Sequence, residues 1–110
     1  MLVEAASVRI ALTTVHSLEE GRKLARLLVE RSLVACVNLV PNLTSIYRWQ
    51  GAVEEAPETL LLMKTTAERL PALEAAVREF HSYELPEFLV LAAESGSQPY
   101  LAWLLDSVKS

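Results

Sequence analysis

What this sequence has little of narrows the field first. It holds a single cysteine, Cys36, so no internal disulfide framework forms and a reducing compartment is expected. Three glycines are too few for a Gly-rich phosphate cradle, and neither a GxGxxG nor a P-loop pattern occurs. There is no CxxC pair. The two histidines, His16 and His81, lie far apart and lack the paired spacing of a metal motif. No serine sits in a nucleophile-elbow sequence. These absences leave no catalytic residue to name, and an enzyme is not expected. No apolar run approaches the roughly 20 residues of a membrane span. Residues 1–7 lack the basic segment and apolar core of a signal peptide, so a cytoplasmic location is expected, and the Asn42-Leu-Thr44 sequon carries no weight. Ten basic residues against fourteen acidic ones give a net charge of −4. That mild, mixed balance draws the chain to neither nucleic acid nor membrane.

What is present is apolar. Hydrophobic residues make up 52% of the 110, above the usual share. One domain, 1–110, is expected at this length. A chain this short buries a limited fraction of its surface, so the excess of Leu, Val and Ala points to an oligomer. The stretch from Ala35 to Gly51 reads as one long strand, with Val37, Leu39, Ile46, Tyr47 and Trp49 suited to a pleated surface. Pro41-Asn42 interrupts it and belongs at an edge or a bulge. Gln50-Gly51 offers a tight reversal into a second apolar run, Thr59 to Thr65. Its core, Leu60-Leu-Leu-Met63, lacks the alternation of a sheet with one wet face. A neighbouring subunit is the expected cover for the second face.

In chain order, Val8, Ile10 and Leu12 alternate as a first strand. Ser17-Leu-Glu-Glu20 matches a capping box, and a helix to about Ser32 carries Leu24, Leu27, Leu28 and Val29. After the hairpin, Thr65-Thr-Ala-Glu68 opens a second helix with a box-like start. Leu70, Leu73, Val77 and Phe80 mark its buried stripe, and Pro71 is tolerable in the first turn. A fourth strand, Phe88–Ala92, follows Pro86. A Ser97 cap leads into a last helix with Tyr100, Trp103, Leu104 and Val108. The order βαββαβ predicts an α+β, ferredoxin-like sandwich. A long central β-hairpin and an extra C-terminal helix, covering an edge or a neighbour, complete it.

The chemistry concentrates at His81-Ser-Tyr-Glu-Leu-Pro-Glu87, between the second helix and the fourth strand. His81 ends a helix, where it serves as a cap or offers a neutral imidazole to a metal. Tyr83, Glu84 and Glu87 add oxygen donors. Lys64 at the end of the apolar strand needs a partner, with Glu58 or Glu87 to hand. Arg48 and Trp49 suit a cation–π contact or the packing of a hairpin tip. Cys36 reads as a small buried hydrophobe.

The residues then carry a resemblance. Leu33 to Asn38, Pro41, Thr44 to Trp49, Gly51, Lys64-Thr-Thr66, His81, Tyr83, Pro86-Glu87 and Tyr100-Leu-Ala-Trp103, in that order, resemble the CutA family of divalent-cation tolerance proteins. The resemblance runs from about Val8 to Trp103. It implies a tight homotrimer in which long hairpin strands pair between subunits, with an architecture similar to the PII signalling proteins. It implies a response to metal ions. In members associated with copper, a first-strand cysteine and two adjacent histidines are implicated. Here those positions are Thr13 and Phe80-His81, so weak copper binding centred on His81 is the form that role takes. The alternative implied is a PII-like signalling or scaffold protein that binds a small molecule or protein between subunits. Lys64, Tyr83, Glu87 and Trp49 are its candidate cleft.

Overall fold

The computed structural model describes residues 1–109. Strand β1 spans Leu2–Glu4, β2 Val8–Val15, β3 Cys36–Trp49, β4 Ala52–Thr66, β5 Leu89–Ala92 and β6 Ser95–Ser97. Helix α1 spans Leu18–Glu30, α2 Leu70–Phe80 and α3 Gln98–Ser107. The architecture is mixed α+β. Four strands form an antiparallel sheet in the order β3-β4-β2-β5, and β1 pairs with β6 in a separate two-stranded ribbon.

Helices α1 and α2 cover one face of the large sheet. Ala11, Thr13 and Val15 on β2 and Leu61, Met63 and Thr65 on β4 are buried there. Leu24 and Leu28 of α1 and Leu73, Ala76 and Val77 of α2 close the same core. Gly21 lies where α1 meets the sheet: a Cβ on it would sit 2.9 Å from Leu39 Cδ2. The expected stripe Val8, Ile10 and Leu12 holds as a face. Ile10 and Leu12, however, lie on the side away from these helices and are only half-buried. Their cross-strand neighbours share that side, because directly opposed residues of an antiparallel pair project the same way. Leu62 and Leu89 oppose Leu12, and Lys64 and Leu91 oppose Ile10. Leu60 and Val40 continue the row. Helix α3 packs against its Val8–Lys64 end, and beyond that end this apolar face has no helix of its own chain across it. Leu89 remains 59% and Leu91 53% exposed.

The hairpin of β3 and β4 turns at Gln50-Gly51, whose φ values of 49° and 84° are both positive. That geometry matches the right-handed twist of the flanking strands. The register slips between Val40 and Leu43, where Pro41 withholds a donor and Asn42 takes a φ of 62°. The bulge thus sits on edge strand β3, where a proline is tolerated. Beyond it, residues 43–49 pair only with 52–58. The arm carries exposed Ile46, Tyr47, Trp49 and Val53 and helps draw the subunit out to 46 × 25 × 22 Å.

Several expectations shift. Ser17 does cap α1, its Oγ accepting from the Glu20 N–H at 3.1 Å. The Glu20 carboxylate does not reach back; it accepts from the Ser82 N–H at 3.2 Å. Helix α1 stops at Glu30, and its outer residue Val29 is exposed. The box-like start at Thr65 fails. Strand β4 runs through Thr66, a single 3-10 turn over Ala67–Arg69 follows, and α2 begins at Leu70 with no side-chain cap. The Thr65 hydroxyl is committed elsewhere, donating to the buried Leu33 carbonyl at 2.7 Å. Phe80 is exposed, and Arg31 stacks on its ring at 5.1 Å. Cys36 is only half-buried and lies on the face away from α1 and α2, outside the core. Helix α3 buries Leu101, Leu104 and Val108 with Ala5, Val8 and Ala35, a second small core at the end of the sheet. Tyr100 and Trp103 face outward. Among the described residues no helix is long and apolar enough to cross a membrane.

Candidate functional site

Two polar corners mark the ends of the face that α1 and α2 leave uncovered. Glu58 and Lys64 belong to one strand and one face, six residues apart in β4, or roughly 20 Å at about 3.3 Å per residue.

The first corner is built where α2 hands the chain to the segment before β5. His81 is the C-cap of α2, and its N–H bonds to the Val77 carbonyl at 2.9 Å. Its side chain is 8% exposed. Nε2 lies 2.8 Å from the Thr14 carbonyl oxygen, so Nε2 carries the proton and donates. Nδ1 accepts from the Tyr83 N–H at 3.0 Å. The two bonds fix the tautomer and pin the segment to the end of β2. The ring of Tyr83 leans on that of His81, 4.7 Å between centroids. The Tyr83 hydroxyl donates to Glu58 Oε2 at 2.7 Å, a short bond of the kind a carboxylate acceptor makes. Burial, the bond to Glu58 and the nearby charge of Glu20 push the Tyr83 hydroxyl well above its ordinary range. Glu20 itself has a lowered pKa. Burial opposes the shift, but the hydrogen bonds from Ser82 and the proximity of His16 outweigh it.

The second corner is built around Lys64. Neither Glu58 nor Glu87 serves as its partner. Its ammonium instead donates to the Tyr100 hydroxyl at 3.5 Å and lies 5.7 Å from the centre of that ring. Cys36, directly across the ladder from Lys64, places Sγ 3.9 Å from the same hydroxyl. Trp103 stacks obliquely beside Tyr100, 5.5 Å between centroids. At the hairpin tip, Arg48 opposes Val53 and Trp49 opposes Ala52. As neighbours on one strand they project to opposite faces, which removes the expected cation–π pair. Of Lys64, Tyr83, Glu87 and Trp49, no two touch through a hydrogen bond or ring contact among the described residues. Sequence reasoning passed over Glu58 except as a partner for Lys64. A lone carboxylate at the edge of the apolar run was the signal available.

A copper ion needs several free donor atoms converging on one point. His81 has both ring nitrogens engaged. Thr13 is fully buried, and Cys36 stands at the far corner. Among the described residues no three His, Cys, Asp or Glu side chains are grouped to hold a metal ion. The residues present do not fit a bound copper ion.

The fold and these corners define a small α+β protein, its helix-covered sheet turning one uncovered apolar face outward. The chain belongs to the CutA1 divalent ion tolerance protein family, whose profile matches residues 9–107. It is 49% identical over 98 residues to the divalent-cation tolerance protein CutA of Thermus thermophilus, covering 89% of this chain and 95% of that protein. It is 42% identical over 104 residues to the human protein CutA, covering 94% of this chain and 58% of that longer protein. Its structure superposes on CutA from Synechococcus elongatus with a TM-score of 0.95 at 42% identity, over 99% of this chain and 96% of that one. The Synechococcus protein has also been solved complexed with a Bis-Tris molecule, at a TM-score of 0.91 and 41% identity over 97% of this chain and 99% of that one.

Proposed function

We propose that this chain is a ferredoxin-like subunit of a homotrimer. In this reading it serves divalent-cation tolerance in the cytoplasm as a PII-like scaffold. A small molecule or a protein binds in clefts between subunits, and metal ions act on it indirectly. The observation that carries the reading is the uncovered face of Ile10, Leu12, Leu60, Leu62, Leu89 and Leu91. A contiguous apolar surface of this kind is costly in water and marks an interaction site. Three such faces turned inward around one axis cover each other, and closed rotational symmetry leaves none over. The dispersal of Lys64, Tyr83, Glu87 and Trp49 supports clefts shared between subunits, since one subunit alone does not gather them. The engaged nitrogens of His81 favour this reading over direct copper binding. His81 then acts as the strut that holds Tyr83 against Glu58. The Synechococcus relative has been solved complexed with a Bis-Tris molecule, a small polar molecule of the kind this reading calls for.

Light scattering tests the assembly: the expected mass is that of three chains, and a stable folded monomer at micromolar concentration overturns it. Calorimetric titration of copper into the wild type and His81→Ala tests the indirect role of metal. Matching isotherms are expected. Saturable copper binding that disappears in His81→Ala would restore direct coordination.

A further inference from the structure

Glu58 is a carboxylate without a counter-charge. It is 9% exposed, and the Tyr83 hydroxyl is its only hydrogen-bond donor among the described residues. The ion pairs among those residues join His16 to Glu20, Arg78 to Glu74 and Lys109 to Asp106. None reaches Glu58. Burying a carboxylate beside a single neutral phenol is unfavourable, and natural proteins pair such a charge.

The surroundings specify which cation would fit. Glu58 Oε1 has no partner among the described residues, and the Tyr83 oxygen, having given its proton to Oε2, keeps lone pairs to accept with. Two acceptor atoms therefore stand side by side. The Tyr83 ring adjoins them. Electron-rich ring faces attract a cation that carries hydrocarbon. A divalent metal is a poor occupant, because Mg²⁺ and Ca²⁺ call for six or more oxygen ligands, several of them anionic. An ammonium group needs only what is here: acceptors for its N–H bonds, one negative charge and an aromatic wall.

We propose that the Glu58–Tyr83 corner binds a small organic ammonium ion, a primary or secondary alkylammonium, as the ligand class of the inter-subunit cleft. The inference rests on the cleft reading above, since Tyr83 belongs to that cleft. Ethanolamine is a suitable probe, with ethylene glycol as its uncharged counterpart and magnesium chloride as the metal control. Calorimetry together with the ring-proton shifts of Tyr83 should show saturable binding of ethanolamine and none of the other two. Glu58→Gln keeps the shape and removes the charge, and should weaken binding about tenfold or more. Tyr83→Phe should weaken it less, and Glu94→Gln, an exposed carboxylate outside the corner, should leave it unchanged. Equal binding by wild type and Glu58→Gln overturns the proposal. So does a wild type that binds no ethanolamine, the outcome if a neighbouring subunit already supplies the counter-charge. Light scattering on the same samples separates the two readings. A trimer without ethanolamine binding refutes the ammonium site and leaves the assembly standing. A monomer that binds ethanolamine through Glu58 does the reverse.

Discussion

Replacing Leu91 by aspartate places a charge on the uncovered sheet face, directly opposite Ile10. In a free subunit the change should be mild. Leu91 is 53% exposed on the four-residue strand β5, and a surface substitution of this kind stays within about 0.5 kcal/mol. In the proposed homotrimer the same change acts twice. Burying the exposed half of a leucine contributes about 1 kcal/mol per subunit, and that gain is lost. Each carboxylate must also leave water, at an effective cost of several kcal/mol per ion. Over three subunits the penalty is on the order of 10 kcal/mol, enough to raise a dissociation constant by several powers of ten. Leu91→Asp should therefore run as a monomer by light scattering at low micromolar concentration. Its far-UV circular dichroism should keep the mixed α+β signature. A Leu91→Asp protein with wild-type mass at that concentration would show that this face is not where subunits meet. An unfolded Leu91→Asp protein would show instead that the face is needed within the subunit, which the exposure of Leu91 argues against.

Four further outcomes follow from individual contacts. Thr65→Val removes the donor to the buried Leu33 carbonyl and should cost about 1–3 kcal/mol in denaturant unfolding. Gly51→Ala should cost about 1 kcal/mol, read from the thermal midpoint. The cause is backbone alone, since an added Cβ meets nothing within 4 Å but φ is +84°. Gly21→Ala presses a methyl to 2.9 Å from Leu39 Cδ2 and should cost about 1–3 kcal/mol unless that leucine tip swings aside. Glu20 has a pKa lowered below its ordinary 4.5 in the folded chain. Its contribution is therefore present above about pH 4.5 and disappears as the pH falls through the depressed folded value. Glu20→Gln should flatten that part of the acid stability profile.

The sequence was most informative where local chemistry and tertiary demand coincide. Ser17 caps α1, Gln50-Gly51 turns the hairpin and Pro41-Asn42 makes the bulge, because each serves a backbone need that no distant contact contests. Thr65 misled because its hydroxyl can cap a helix or satisfy a carbonyl, and Leu33, distant in sequence, took it. Phe80 misled because helical spacing shows which residues share a face, not which face is wet. The β1–β6 ribbon was illegible: its strands are three residues each, too short for any period to register. The candidate site was legible by residue and not by grouping. Tyr83 and Lys64 were both found, yet the contacts that define them, Glu58 and Tyr100, are separated from them by 25 and 36 residues.

The arm beyond the Pro41-Asn42 bulge has a kinetic consequence. A two-stranded hairpin by itself is marginal in water, and residues 43–58 have no third strand beside them within the chain. The amides at its tip should therefore exchange with solvent by local opening long before those of β2 and the Leu60–Thr66 half of β4. Whatever docks on the arm slows that exchange without touching the rest of the molecule. The protection of residues 44–57 is thus a built-in gauge of association, readable at a protein concentration where mass measurements see only an average.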